Sequence, residues 1–308
     1  MGETPQNIEP QPFVHRDASS RYGAIVRGVF VASIALFVGL PAFFFWCVTV
    51  LVLLVVISAF GEEEAYCNVA RIPLTGIVTT TSDGFTHFLE NGALSSADEF
   101  LASVRWAEED STVDALLIEI DSPGGAPVAA DEMLSALLAV HKPVIAVVRE
   151  VGASAAYWVA TGADYIIASP VSDVGSIGVT MSYLETASST DIEGSRWVDL
   201  SSGTYKDAGH PERTLRVEEQ AYFKSQVESV HHYMVQRIAE ARPVLSLEEV
   251  EALADGRAYV GTEALRLKLV DALGSFDEAL VWVSEKIGKN ADEVVLCDTY
   301  TSGLEALF

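Results

Sequence analysis

The stretch Pro143 to Gly162 (PVIAVVREVGASAAYWVATG) restricts the folding of this chain more than any other. Pro143 to Val148 is a β-branched apolar run, the pattern of a buried strand. Ala155 to Thr161 suits a short buried helix, with Gly162 in place as its C′ residue. Ser154 therefore stands at a strand-to-helix junction, where its hydroxyl lies near helix N–H groups that have no intrahelical acceptor. Acyl transfer needs that pairing, because nucleophile and oxyanion donors must converge on one carbonyl. An isolated serine at such a junction is more often a plain N-cap, so the position alone assigns no chemistry.

The flanking pattern repeats the alternation of strand and helix. Ala70 to Thr80 and Val113 to Ile120 read as strands, and Ser96-Ala-Asp-Glu99 has capping-box spacing opening a helix to about Glu109. A helix over about 127–140 leads into the Pro143 strand. Strand, helix and strand joined by turns this short imply parallel βαβ units and an α/β fold. Asp164 to Ala168 and Ser176 to Tyr183 read as further strands. A long helix is expected over about 215–241, and shorter ones around 247–254 and 276–287.

From Gly28 to Phe60 there is no charged side chain. A membrane span needs about 20 apolar residues, so this run predicts one long, tilted or Pro41-kinked transmembrane helix. A tight re-entrant hairpin is the lesser alternative, and a cleaved signal peptide has an apolar core of only about 7–15 residues. Arg16, Arg21 and Arg27 precede the run and Glu62, Glu63 and Glu64 follow it. By the positive-inside bias, residues 1–27 are a cytoplasmic tail, 28–60 a signal anchor, and 61–308 an extracytoplasmic domain.

The net charge of −25, from 19 basic and 44 acidic residues, falls almost wholly on that domain, since the first 60 residues carry three charges of each sign. Such a surface repels phosphate backbones and argues against a nucleic-acid partner. Acidic and poor in lysine, it is also the surface expected of a protein bathed in high salt. Of the three cysteines, Cys47 lies in the apolar run. Cys67 and Cys297 could form a disulfide in an oxidising compartment, but two lone cysteines are more often unpaired. No CxxC or CxxH spacing points to a metal, and no cofactor is implied.

Four further features bear on chemistry. In Asp121-Ser-Pro-Gly-Gly125 the glycines let backbone approach a ligand closely, although Pro and Gly are also ordinary turn residues. Gly175-Ser-Ile-Gly178 frames Ser176 between two glycines. Lys206 sits in a polar loop, Ser202 to Gly209, and is one of six lysines in the chain. A serine nucleophile needs a base. Of six histidines, only His210, in the Lys206 loop, is a rival, because His231 and His232 are neighbours on a helix and point apart. The elbow G-x-S-x-G fails at Ala156. A Ser-Lys pair remains, in which burial must keep neutral an amine whose pKa in water is about 10.4.

Taken in order, Asp121-Ser-Pro-Gly-Gly125, Ala153-Ser154 with Tyr157-Trp158, Ala163-Asp164, Gly175-Ser-Ile-Gly178, Tyr205-Lys206-Asp207, Gly256-Arg-Ala-Tyr-Val-Gly261 and Leu269-Val-Asp271 resemble the signal peptide peptidase A family, the S49 serine peptidases, in its short, membrane-anchored form. The resemblance covers roughly residues 70–290. It implies a ClpP/crotonase-like α/β fold behind the transmembrane helix, with Ser154 as nucleophile, Lys206 as general base and Ser176 orienting the lysine. The N–H groups of Gly124 and Gly125 would form the oxyanion hole. It further implies dome-like homo-oligomeric rings whose neighbouring subunits complete each site, acting on remnant signal peptides and other small or unfolded hydrophobic peptides at the membrane. Two departures stand out: Ala155-Ala156 replaces the usual Gly-Gly, and Lys268 replaces a glycine before Leu-Val-Asp. The competing expectations are a protease specific for one membrane-protein partner, a catalytically silent membrane scaffold, and a crotonase-type acyl-CoA enzyme, the last opposed by the topology and the acidic surface.

Overall fold

The computed structural model describes residues 46, 49–52, 67–81, 94–186, 198 and 200–298. Residues 1–65 separate as a unit of their own, of which 46 and 49–52 are described and helical. The tail and the expected span at 28–60 thus lie almost wholly outside the described residues. Among the described residues, no helix is long and apolar enough to cross a membrane.

The unit from Tyr66 onward is built on one mixed α/β sheet. Its strands are β1 (Val69–Thr79), β2 (Leu94–Ser96), β3 (Ala115–Gly125), β4 (Val144–Ala153), β5 (Tyr165–Ala168), β6 (Asp173–Gly175), β7 (Ala258–Val260), β8 (Ala272–Leu273) and β9 (Leu296–Asp298). The order β2-β1-β3-β4-β5-β8 is parallel throughout. β9 adds in parallel to the first residues of β1. β6 pairs in parallel with the far end of β4 and antiparallel with β7.

A parallel sheet must be covered on both faces, which is why β3 and β4 are apolar runs rather than alternating ones. Side chains still alternate between faces. Leu116, Ile118 and Ile120 enter the larger core, and Ala115 and Leu117 the smaller. The larger core is roofed by α1 (Ala97–Glu109), α2 (Pro127–Leu138), α3 (Ala155–Ala160) and the end of α4 (Val217–Ala241), which contributes Met234, Val235 and Ile238. Two short helices follow, α5 (Leu247–Leu253) and α6 (Gly261–Arg266). α7 (Phe276–Ile287) covers the other face with Ala279 and Val283.

Three expectations are corrected. The Ser96 capping box does not form: the Ser96 hydroxyl turns to the Thr80 carbonyl (3.4 Å) instead of α1. Residues 176–183 are not a strand, because the chain leaves the sheet at Ser176 with a positive φ of 49°. Gly162 follows the Thr161 C-cap of α3 at the expected C′ position, although it is not in the left-handed region. A side chain at Gly162 would meet Leu137 Cβ at 2.9 Å, so close packing against α2 explains the glycine. Cys67 and Cys297 are bonded, with Cα atoms 5.3 Å apart, because β9 lies beside the start of β1.

Candidate active site

Ser154 stands where β4 ends and α3 begins, at φ 54° and ψ −122°. A non-glycine residue there stores about 1–3 kcal/mol of backbone strain and persists only where the surroundings enforce it. The enforcement is visible: Ser154 N–H donates to the Gly175 carbonyl (2.7 Å), while β6 runs beside β4 with Gly175 opposite Ala153. Behind it, all six residues of α3 are buried. Tyr157 Oη donates to the Leu269 carbonyl (2.9 Å), and burial pushes its phenol well above the usual range. Trp158 packs edge-on to Tyr233, ring centroids 6.1 Å apart.

Against this junction lies the end of β3. Gly124 has φ 101°, and a Cβ there would sit 2.8 Å from Ala155 N and 2.9 Å from Ser154 Cβ. Only glycine allows that approach. Gly124 N–H donates to Ser122 Oγ (3.1 Å), and this fully buried hydroxyl donates to the Gly76 carbonyl (2.6 Å). The Gly124 amide is thus already engaged within its own strand. Ala126 N–H points to β1, donating to the Val78 carbonyl (2.8 Å). Gly125, the last residue of β3, lines a cavity together with Ser154 and Ala155. Ala155 N–H, the first of α3, has no intrahelical acceptor.

Two cavities meet at Ser154. One, of about 400 Å³, is lined also by Ser176, Thr180, Glu228, His231 and Asp255. The other, of about 270 Å³, is apolar, with Trp158, Val179, Met181, Val230 and Met234. Ser176 lines the same cavity as Ser154. Its φ of 49° lifts it off the sheet, its N–H donates to the Arg257 carbonyl (2.9 Å), and its hydroxyl to the Gly256 carbonyl (3.1 Å).

Lys206 is exposed and lines neither cavity. It rides a run of turns in which Lys206 N–H donates to the Gly203 carbonyl (3.1 Å) and Ala208 N–H to Tyr205 (3.2 Å). His210 stays in that loop, its Nδ1 accepting from Glu212 N–H (3.3 Å). His231, set aside on sequence, lines the larger of the two Ser154 cavities, with Nε2 3.0 Å from the Ala254 carbonyl. The spacing Val227, Val230, His231, Met234 marks one face of α4 and was the available signal for it. Ser122 and Ala155 were the other omissions. A larger cleft of about 980 Å³ holds none of these groups. There Glu119 pairs with Arg71 (2.6 Å) and Arg149 (2.9 Å), and both arginines lie over Phe276.

Fold and site together define a class: parallel α/β proteins presenting a strained serine at a strand-to-helix junction, faced by a glycine-bearing strand end. The sequence profile of peptidase family S49 matches residues 136–290. The chain is 34% identical to the candidate protease MJ0651 of Methanocaldococcus jannaschii over 61% of either chain. It is 31% identical to the candidate protease slr0021 of Synechocystis sp., covering 74% of this chain and 78% of that one. To the chloroplast serine protease SPPA of Arabidopsis thaliana it is 31% identical over 63% of this chain, spanning 29% of the plant protein. The chain belongs to peptidase family S49, with relatives named SPPA, and its parallel α/β architecture fits that family's ClpP-like fold.

Proposed function

We propose that the protein is a membrane-anchored serine endopeptidase working through a Ser-Lys dyad on small or unfolded apolar peptides, remnant signal peptides among them. The observation that carries the reading is the strained Ser154, set against Gly124 and opening into both cavities. Ser154 Oγ attacks the peptide carbonyl while Lys206 Nζ accepts its proton. The negative oxygen is held by the N–H groups of Gly125 and Ala155 rather than by Gly124, whose amide is committed to Ser122. Lys206 passes the proton to the leaving amine; its neutral Nζ then takes a proton from the water that attacks the acyl carbon and returns it to Ser154 Oγ as the acyl–oxygen bond breaks.

Because Lys206 is exposed and outside its own Ser154 cavities, we take the base to come from a neighbouring copy. Met181, Leu184, Val198 and Leu200, all exposed, offer the apolar surface such a contact needs. The Cys67–Cys297 bond favours an oxidising, extracytoplasmic setting. Labelling the full chain with a fluorophosphonate probe and mapping the adduct tests the nucleophile. Mixing inactive S154A and K206A proteins tests the shared site: restored hydrolysis of a quenched apolar peptide is expected, and silence in every mixture excludes a base donated by a neighbour. A second reading rests on one observation, His231 in the Ser154 cavity. If H231A abolishes hydrolysis and K206A does not, the base is the imidazole.

A further inference from the structure

The Lys206 loop is bolted to α4 around one buried carboxylate, and the bolts fall on both sides of the lysine. Glu219, at the N3 position of α4, has no exposed side-chain surface. Its Oε2 accepts from Arg213 Nη1 (2.8 Å) and from Arg216 N–H (2.9 Å); its Oε1 accepts from Arg213 Nη2 (2.6 Å) and from Arg216 Nη2. Both guanidinium groups then reach the loop. Arg213 donates to the Asp207 carboxylate (3.0 Å) and carbonyl (2.9 Å), one residue after Lys206. Arg216 donates to the Thr204 carbonyl, two residues before it. Aromatic contacts repeat the attachment: Tyr205 lies against Tyr222 (5.1 Å between centroids), and Gly209 packs under Phe223.

A helix start needs far less than this. The N3 carboxylate returning to Arg216 N–H suffices for capping, yet here two arginines carry its charge onward to the backbone around one exposed lysine. Among the described residues that lysine's amine makes no hydrogen bond or ion pair. We propose that Glu219, through Arg213 and Arg216, is the positioning residue of the general base, fixing the Lys206 loop so that its amine is presented outward in one geometry. The inference rests on the reading of Lys206 as base.

The test uses the full chain and a quenched-fluorescence apolar peptide. In E219Q, kcat is expected to fall about 10- to 100-fold with KM within about twofold, as for a misplaced catalytic group, and E219D recovers part of the loss. In a K206A background, E219Q should slow fluorophosphonate labelling of Ser154 no further, since a residue acting through Lys206 has nothing left to position. An unchanged kcat in a folded E219Q protein overturns the proposal, and so does an undiminished effect in the K206A background. If E219Q does not fold, R216Q reads the same outcome from a side chain that is 42% exposed. Full hydrolysis by K206A would instead remove the dyad reading itself, with Glu219 then a fold residue only.

Discussion

Ser154 and Gly124 are held against each other with no room for a further carbon, so their chemistry is sensitive at the scale of one methyl group. G124A would place its Cβ 2.8 to 2.9 Å from Ala155 N, Ala153 O and Ser154 Cβ, in a backbone conformation that side chains avoid. Relief requires the β3 end or the α3 start to move. The variant is expected to lose about 1–3 kcal/mol of stability from strain alone, read as a lower urea midpoint, and to lose fluorophosphonate labelling. Wild-type labelling in G124A would show that this approach is not needed. The close approach was only half legible, because the glycines of Asp121-Ser-Pro-Gly-Gly125 permit it but suit an ordinary turn as well. The partner of the Gly124 amide was not legible: it is Ser122, whose other partner is the Gly76 carbonyl, 46 positions away in sequence. A pattern of residue types along one strand cannot report a bond made across two.

At the scale of elements, α3 is too short to hold itself and depends on what surrounds it. Its Tyr157 hydroxyl reaches the Leu269 carbonyl in the segment before β8, fastening the helix behind Ser154 to that segment. Y157F leaves a buried carbonyl without that donor and should cost about 1–3 kcal/mol, with slower labelling of Ser154 as α3 loosens; equal melting temperatures would refute it. The start of α4 yields a pH prediction. The hydrogen-bonded Arg213 guanidinium holds the Glu219 carboxyl at about 2, with burial opposing and the Arg216 amide and guanidinium adding to the depression. A folded-state pKa below the ordinary value gives stability that is complete above the usual carboxylate range and is lost as pH falls toward about 2. The difference in urea midpoint between wild type and E219Q should therefore shrink from about pH 6 down to about pH 2; a constant difference would contradict the linkage. Helices 217–241 and 276–287 were legible from periodicity. The stretch 176–183 was misread as a strand because its apolar residues resemble one, whereas Met181, Tyr183 and Leu184 are exposed on an irregular segment.

The unit from Tyr66 onward is built on a sheet whose outermost long strand, β1, has its free edge shared by two short partners. β2 pairs with Ile77–Thr79 and β9 with Val69–Arg71. Three residues make few ladder bonds, so β9 needs other attachments. Asn68, fully buried, supplies one: its Nδ2 donates to the Glu293 carbonyl (2.9 Å) and its Oδ1 accepts from Val295 N–H (2.9 Å). The Cys67–Cys297 bond supplies the other, across a separation of 230 residues. A link that far apart in sequence could not be read from spacing, since pairing depends on β9 returning to β1, which a three-residue strand hardly announces. The two attachments act differently. Asn68 holds β9 in the folded state, whereas the disulfide chiefly narrows the unfolded ensemble, in the chain-entropy account more strongly for a longer closed loop. A double C67S/C297S variant is thus expected to keep β9 paired, with the Val69 amide still protected by the Val295 carbonyl (3.1 Å) in hydrogen exchange under native conditions. Its global stability should nonetheless fall by about 2–5 kcal/mol. Wild type treated with reductant should melt as the variant does. If instead Val69 protection vanishes at temperatures where the rest of the sheet stays protected, the bond serves as a local clasp on β9 rather than as a constraint on the unfolded chain.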